Sequence, residues 1–253
     1  DGIILRQTKI ARDRKMIVLF TRKFGKISAG TGIRQSGKKS SLPLRPFTHG
    51  RYEIYTGRNS YNIDAAETIE SFFSIGEDID RFFCASCALE FTDKVLAESM
   101  PAEPVLDTLI SFLRILSNRK KKMRSFLIMY EWKILYMTGY GPVTDRCASC
   151  GREDEPAGFS IADGGTVCRS CVDSGRINMR LLYSIKFDII QILKFIGLNN
   201  IDSFANLAFG PETEDYLDRI LHEYVSYHLD IRGLKSESYL SLDFLKRTAV
   251  LWN

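Results

Sequence analysis

Cys147-Ala148-Ser149-Cys150-Gly151 is followed, beyond residues 151–167, by Cys168-Arg169-Ser170-Cys171. Two CxxC pairs at this separation fit the pattern in which two thiolate knuckles close a tetrahedron around one Zn²⁺. Gly151, directly after the second sulfur, permits the positive φ that such a knuckle needs. Four thiolates fill the coordination sphere and leave no position for water, so the expected metal holds structure and performs no hydrolysis. Such a centre carries a formal charge of about −2. Arg146, Arg152, Arg169 and Arg176 lie close enough in sequence to offset it. The alternative is a pair of disulfides or four unrelated thiols. Residues 1–6 lack the basic-then-apolar shape of a signal peptide, which predicts reduced thiols in a cytoplasmic protein and favours metal. Cys84 and Cys87 repeat the spacing without a second pair nearby, among Phe82, Phe83 and Phe91, and are expected to pack in a core.

The charge of the chain points to a second kind of chemistry. Net charge is +4, yet residues 1–58 carry fourteen Lys or Arg against Asp1, Asp13 and Glu53, while residues 205–253 carry five against eight acids. Such asymmetry suits a polyanion-binding module joined to a neutral or acidic body. Gly32, Gly37 and Lys38 sit at the spacing of a phosphate-cradling P-loop, but Lys39 stands where a Mg²⁺-binding Ser or Thr is required, and Pro43 and Pro46 preclude the following helix. The segment reads instead as a basic loop able to touch a phosphate backbone. Arg119, Lys120, Lys121, Lys122 and Arg124 form a second exposed basic run, either a solubilising link or a docking patch for nucleic acid or an acidic peptide tail. His49, His222 and His228 are scattered, and no catalytic motif is present, so an enzyme is not expected.

The elements that must position these residues follow from periodicity. Residues 2–8, 16–21, 26–30, 52–56 and 60–63 are short, β-branched and aromatic runs between turns, which predict a small OB-type barrel. Asp64 reads as an N-cap for a helix over 65–75, with Ile69, Phe72 and Phe73 on one side. Further helices are expected over 79–99, 104–116, 125–137, 181–196, 211–229 and 239–245. Phe159, Ile161 and Val167 around Gly164-Gly165 predict a hairpin between the knuckles. The chain is thus expected to be α+β and multidomain. Residues 1–78 form the barrel, 79–142 and 177–253 a helical domain, and 143–176 an inserted zinc ribbon. Hydrophobic content is 45% and no run of about twenty apolar residues exists, which excludes a transmembrane helix of that kind.

These residues also carry a resemblance. Gly2-Ile3-Ile4-Leu5-Arg6, residues 17–21, Gly25-Lys26-Ile27 and the loop from Gly32 to Ser40 before Pro46-Phe47 resemble the N-terminal OB domain of the bacterial RecO family. Residues 130–135 closed by Gly139-Tyr140, the order of Cys147, Cys150-Gly151, Phe159, Gly164-Gly165, Cys168 and Cys171, and Leu234-Lys235-Ser236 extend the likeness over nearly the whole chain. The resemblance implies a non-enzymatic recombination mediator in DNA repair. Such proteins bind single- and double-stranded DNA, anneal complementary strands, and work with RecR and the acidic C-terminal tail of single-stranded DNA-binding protein so that RecA loads. It implies one structural zinc on Cys147, Cys150, Cys168 and Cys171, DNA contacts from Lys26, Arg34, Lys38, Lys39 and Arg45, and a cytoplasmic protein that joins the nucleoid during repair. Where some relatives carry arginines ahead of Tyr130, this chain has Ile128-Met129, which leaves the 119–124 run as the candidate dock for the acidic tail. A zinc-ribbon docking adaptor with incidental nucleic-acid binding is the competing reading. A zinc-stabilised RNA-binding or nuclease-like protein is a third, and the four-cysteine set offers it no open metal position.

Overall fold

The structure is a computed structural model that describes residues 1–11, 14–31, 42–58 and 60–236. The expected helix over 239–245 lies outside these residues. Contacts divide the chain into two compact units, residues 1–123 with the returning chain from 234, and residues 124–233. In this division the first two helices group with the barrel.

In the first unit, β1 (Gly2–Ala11), β2 (Arg14–Thr21), β3 (Gly25–Thr31), β4 (Thr48–Thr56) and β5 (Tyr61–Ser71) close a barrel in the order β1-β2-β3-β5-β4. Antiparallel pairing joins β1 to β2, β2 to β3, β4 to β5 and β1 to β4, and β3 meets β5 in parallel. Ile4, Ile17, Leu19, Ile27, Ala29, Leu44 and Ile63 fill the interior. The alternate residues Val18 and Phe20 are also buried, at 7% and 0% exposure. β2 is therefore covered on both faces, which explains its unbroken apolar run. The outer cover comes from α1 (Ile79–Val95), which packs on β1, and α2 (Glu103–Asn118), which touches β2. Gly25 makes the β2–β3 turn at φ +65°, where a Cβ would meet the Met100 carbonyl.

The expected helix over 65–75 is instead the second half of β5, followed by a 3-10 turn at Phe73–Glu77. Asp64 caps no helix there. β5 pairs with β4 along nearly its whole length, with bulges at His49/Gly50 and Glu53/Ile54. Those irregularities break strict alternation on the strand pair, so spacing that resembles one helical face belongs to a long bent strand. Asp78 is the true N-cap, accepting from Arg81 N at 2.9 Å to start α1. Cys84 and Cys87 are 2% and 0% exposed in α1, as expected.

The second unit contains α3 (Met123–Met137), β6 (Pro156–Ser160), β7 (Gly165–Cys168), α4 (Arg169–Asp173), β8 (Leu182–Tyr183), α5 (Ile189–Leu198) and α6 (Pro211–Leu229). Trp132 of α3 lies 5.4 Å from Tyr224 of α6, which stands 6.2 Å from Phe159 of β6, so helices and module share one aromatic core. Ser125 Oγ donates to buried Glu214 and accepts from Phe209 N, leaving that carboxylate satisfied. α6 begins at a proline, as expected. α5 begins eight residues later than expected, since Leu182 and Tyr183 pair with β6 first.

Candidate metal centre and nucleic-acid interface

The predicted hairpin is present and gains a third strand, giving the order β7-β6-β8. It sets the second knuckle, with Cys168 ending β7 and Cys171 in α4. The first knuckle is a closed turn in which Gly151 N donates to Cys147 O at 2.8 Å and Cys147 N donates to Arg152 O at 2.7 Å. Gly151 has φ +76°, the conformation its position requires. Ala148 N donates to Thr166 O at 2.7 Å and Cys168 N to Cys147 Sγ at 3.3 Å, which locks the two knuckles together.

The four sulfurs lie within 4.8 Å of one another. Cys147 and Cys171 are 3.9 Å apart and Cys150 and Cys168 3.8 Å apart. A tetrahedron with thiolates about 2.3 Å from its centre has edges of about 3.8 Å, which these two separations match, so the cluster fits a tetrahedral metal ion. The Arg152 guanidinium, 3.5 Å from Cys150 Sγ, lowers that thiol to about 6. Burial, followed by the neighbouring thiols, pushes Cys171 up to about 12. Four thiolates side by side need a cation, and binding one would displace the thiol protons that remain, that of Cys171 among them.

The barrel's positive charge is distributed less freely than sequence suggests. Lys26 is a partly buried tether, its ammonium 3.4 Å from Asp93 Oδ1 and 2.5 Å from Asp93 O, with 11% of the side chain exposed. Arg6 pairs with the same Asp93 at 3.1 Å. Arg22 reaches Glu103 and Asp107 of α2, both at 2.6 Å. These barrel cations therefore help fasten α1 and α2 to the strands. Arg45 is exposed, as are Lys9, Lys23 and Arg58. Arg34, Lys38 and Lys39 lie outside the described residues.

Sequence reasoning missed Lys9 and Lys15. The β1–β2 register sets them directly opposite, and Lys15 is also opposite Thr31, where the chain leaves for residues 32–41. Like charges across a strand pair are destabilising by themselves and suit a site that meets an anion. The register, which depends on a bulge between Lys9 and Ala11, is not readable from spacing. Of the aromatic side chains on the barrel strands that could stack on a base, Phe20 is core and Tyr52 donates to Pro43 O from a partly buried position. Phe24 and Tyr61 pack together at 6.2 Å, while Tyr55 is 63% exposed on β4.

In the second basic run, Arg119 Nε donates to Lys121 O and Lys120, Lys121 and Lys122 are exposed. Arg124 is engaged elsewhere, holding Asp215 at 2.5 Å and Asp218 at 2.6 Å on α6.

A closed barrel with packed helices, and a helical unit that carries a four-thiol cluster able to hold a metal ion, define a modular protein. The chain belongs to the recombination protein O family: Recombination protein O N terminal matches residues 1–72 and Recombination protein O C terminal matches residues 76–238. Its relatives include the DNA repair protein RecO of Caldanaerobacter subterraneus subsp. tengcongensis, 30% identical over 244 residues, 94% of this chain and 95% of that protein. The DNA repair protein RecO of a Thermoanaerobacter species is 28% identical over 242 residues, 95% and 96% of the two chains. Membership places the chain in DNA repair and recombination. Among the described residues, no helix is long and apolar enough to cross a membrane.

Proposed function

We propose that this chain is a non-enzymatic recombination mediator. It binds single- and double-stranded DNA on the barrel, anneals complementary strands, and helps RecA load in concert with RecR and the acidic tail of single-stranded DNA-binding protein. The observation that carries the reading is the match of both family models, in order, to residues 1–72 and 76–238. Lys9, Lys15, Lys23, Arg45 and Arg58, with Arg34, Lys38 and Lys39, supply phosphate contacts that give affinity without sequence reading. Tyr55 supplies a stacking face for an unpaired base. Annealing follows from charge neutralisation, since two strands that repel each other are held close on one basic surface. Lys120, Lys121 and Lys122 remain as the dock for the acidic tail, with Arg124 excluded by its ion pairs. Zn²⁺ on Cys147, Cys150, Cys168 and Cys171 is structural, and when bound it cross-links the two knuckles. The protein works in the cytoplasm and joins the nucleoid during repair.

The docking-adaptor reading has one feature in its favour, a cleft of about 560 Å³ beside the first knuckle that includes Asp145, Glu153, Asp154, Glu155 and Asp188. Annealing of two complementary oligonucleotides, one coated with single-stranded DNA-binding protein, separates the two. Annealing without ATP that falls steeply with salt is expected of the mediator; no annealing at low salt leaves the adaptor.

A further inference from the structure

The four sulfurs are unequally covered. Cys147, Cys168 and Cys171 are 2%, 1% and 3% exposed, whereas Cys150 is exposed. Arg152 lies over that open corner, with Nε 3.5 Å from Cys150 Sγ and Nη2 3.9 Å from Cys168 Sγ. Those two sulfurs are 3.8 Å apart, so the guanidinium fork spans an edge that joins one ligand from each knuckle. The fork starts from a fixed point, because Arg152 O already accepts from Cys147 N within the knuckle turn. A planar, permanently charged guanidinium suits two adjacent thiolates better than a single ammonium does. Arg146, Arg169 and Arg176 are also close in sequence and exposed, as Arg152 is, and it is the Arg152 guanidinium that hydrogen-bonds to the sulfurs. Asp154 Oδ2 stands 3.5 Å from the same Arg152 Nε and competes for it.

Resting on the metal reading of the four thiols, we infer that Arg152 is a further residue of the centre: it offsets part of the negative charge of the thiolate shell and closes its exposed edge. A chelator that removes the metal must bond to the ion as a thiolate leaves it, and Cys150 is the exposed corner through which it would approach. Arg152 therefore raises metal affinity and slows metal release, while Asp154 opposes it. Partners of this kind alter affinity by about 10- to 100-fold.

The test uses the full chain loaded with Zn²⁺, titrated against a chelator for affinity and mixed with excess chelator for release rate. Arg152→Ala is expected to weaken zinc binding by about tenfold or more and to speed release. Arg152→Lys recovers part of the loss, Asp154→Asn shows no weakening, and Arg169→Ala behaves as the unaltered chain. Loading with Cd²⁺ adds a readout that a merely structural role would not leave untouched: the thiolate charge-transfer band keeps its intensity per metal in Arg152→Ala, because all four ligands remain. A reduced band, wild-type affinity in Arg152→Ala, or equal weakening in Arg169→Ala overturns the role of Arg152. If the unaltered chain gives no thiolate band with Cd²⁺, the metal reading itself falls, and Arg152's role with it.

Discussion

The barrel interior is closed by Ile4, Ile17, Leu19, Ile27, Ala29, Leu44 and Ile63, whereas the apolar cluster of the knuckle module consists of Val167 and Ile177 with Cys147, Cys168 and Cys171, backed by Val172 and Leu182. A seven-residue core under a closed sheet holds itself by burial, at about 0.8 kcal/mol for each buried methylene. Two aliphatic residues and three sulfurs bury much less, so a bound metal would supply a larger share of the cross-linking there. The functional groups divide the same way. The module's chemistry is its framework, while the barrel's basic residues sit on a framework that is complete without them.

Metal removal should therefore separate the two regions most sharply. Chelation, or Cys150→Ser, is expected to abolish amide protection across residues 147–177 in hydrogen exchange while the barrel strands keep theirs. The energy at stake is on the order of 10 kcal/mol, the scale of structural zinc binding. Equal protection with and without metal would mean that the small apolar cluster suffices. The reciprocal experiment is Leu19→Ala, at 0% exposure in the barrel core, which should cost about 2–5 kcal/mol in denaturant unfolding of the barrel. The cost should be the same for metal-loaded and metal-free protein. A cost that depends on metal would show that the units unfold together.

The same contrast governs what could be read from sequence. Knuckle chemistry is local: two thiols within four residues and a glycine after the second sulfur declare the turn, and Gly151 adopts the φ of +76° that this demands. The hairpin at Gly164-Gly165 is local too, and it was legible. β5 was not, because the bulges at His49/Gly50 and Glu53/Ile54 arise from pairing with β4 and leave Ile69, Phe72 and Phe73 at a helix-like spacing. Charges were legible in number but not in allegiance. Lys26 and Asp93, or Arg124 and Asp215, are far apart in sequence and meet through the fold, so cations that look available from sequence are engaged in ion pairs. Lys9 and Lys15 became a pair only once register was known.

If the barrel is a finished framework, its surface residues should alter binding without altering stability. Tyr55→Ala tests this, since the ring is 63% exposed and contributes little to the core. Affinity for single-stranded DNA is expected to fall by about 1–3 kcal/mol, with a much smaller loss for duplex, where bases are already stacked. Unfolding midpoints should stay within about 0.5 kcal/mol of the unaltered protein. Equal losses on both nucleic acids would assign Tyr55 to backbone contact and remove stacking from the barrel's repertoire.

The smallest effect probes where the barrel unit ends. Its chain leaves at residue 123 and returns at 234, and the return is fastened to α1 by Glu90, whose carboxylate accepts from Lys235 N at 2.9 Å, Ser236 N at 3.0 Å and Ser236 Oγ at 2.8 Å. Burial raises the Glu90 pKa, but these hydrogen bonds and Lys94 outweigh it, leaving the carboxyl below its ordinary 4.5. A depressed folded value means that the clip stabilises fully above 4.5 and is lost as pH falls through the lowered value. Glu90→Gln keeps the shape and removes the charge, so it should cost about 1–2 kcal/mol at neutral pH. That difference should close in acid, where the wild-type carboxyl is protonated as well. Denaturant unfolding of both proteins across the acid range checks it. A difference that persists unchanged below the lowered value would mean that the substitution disturbs packing around α1 and not the clip. No difference at neutral pH would mean that the barrel unit is complete at residue 123 and the returning chain adds nothing to its stability.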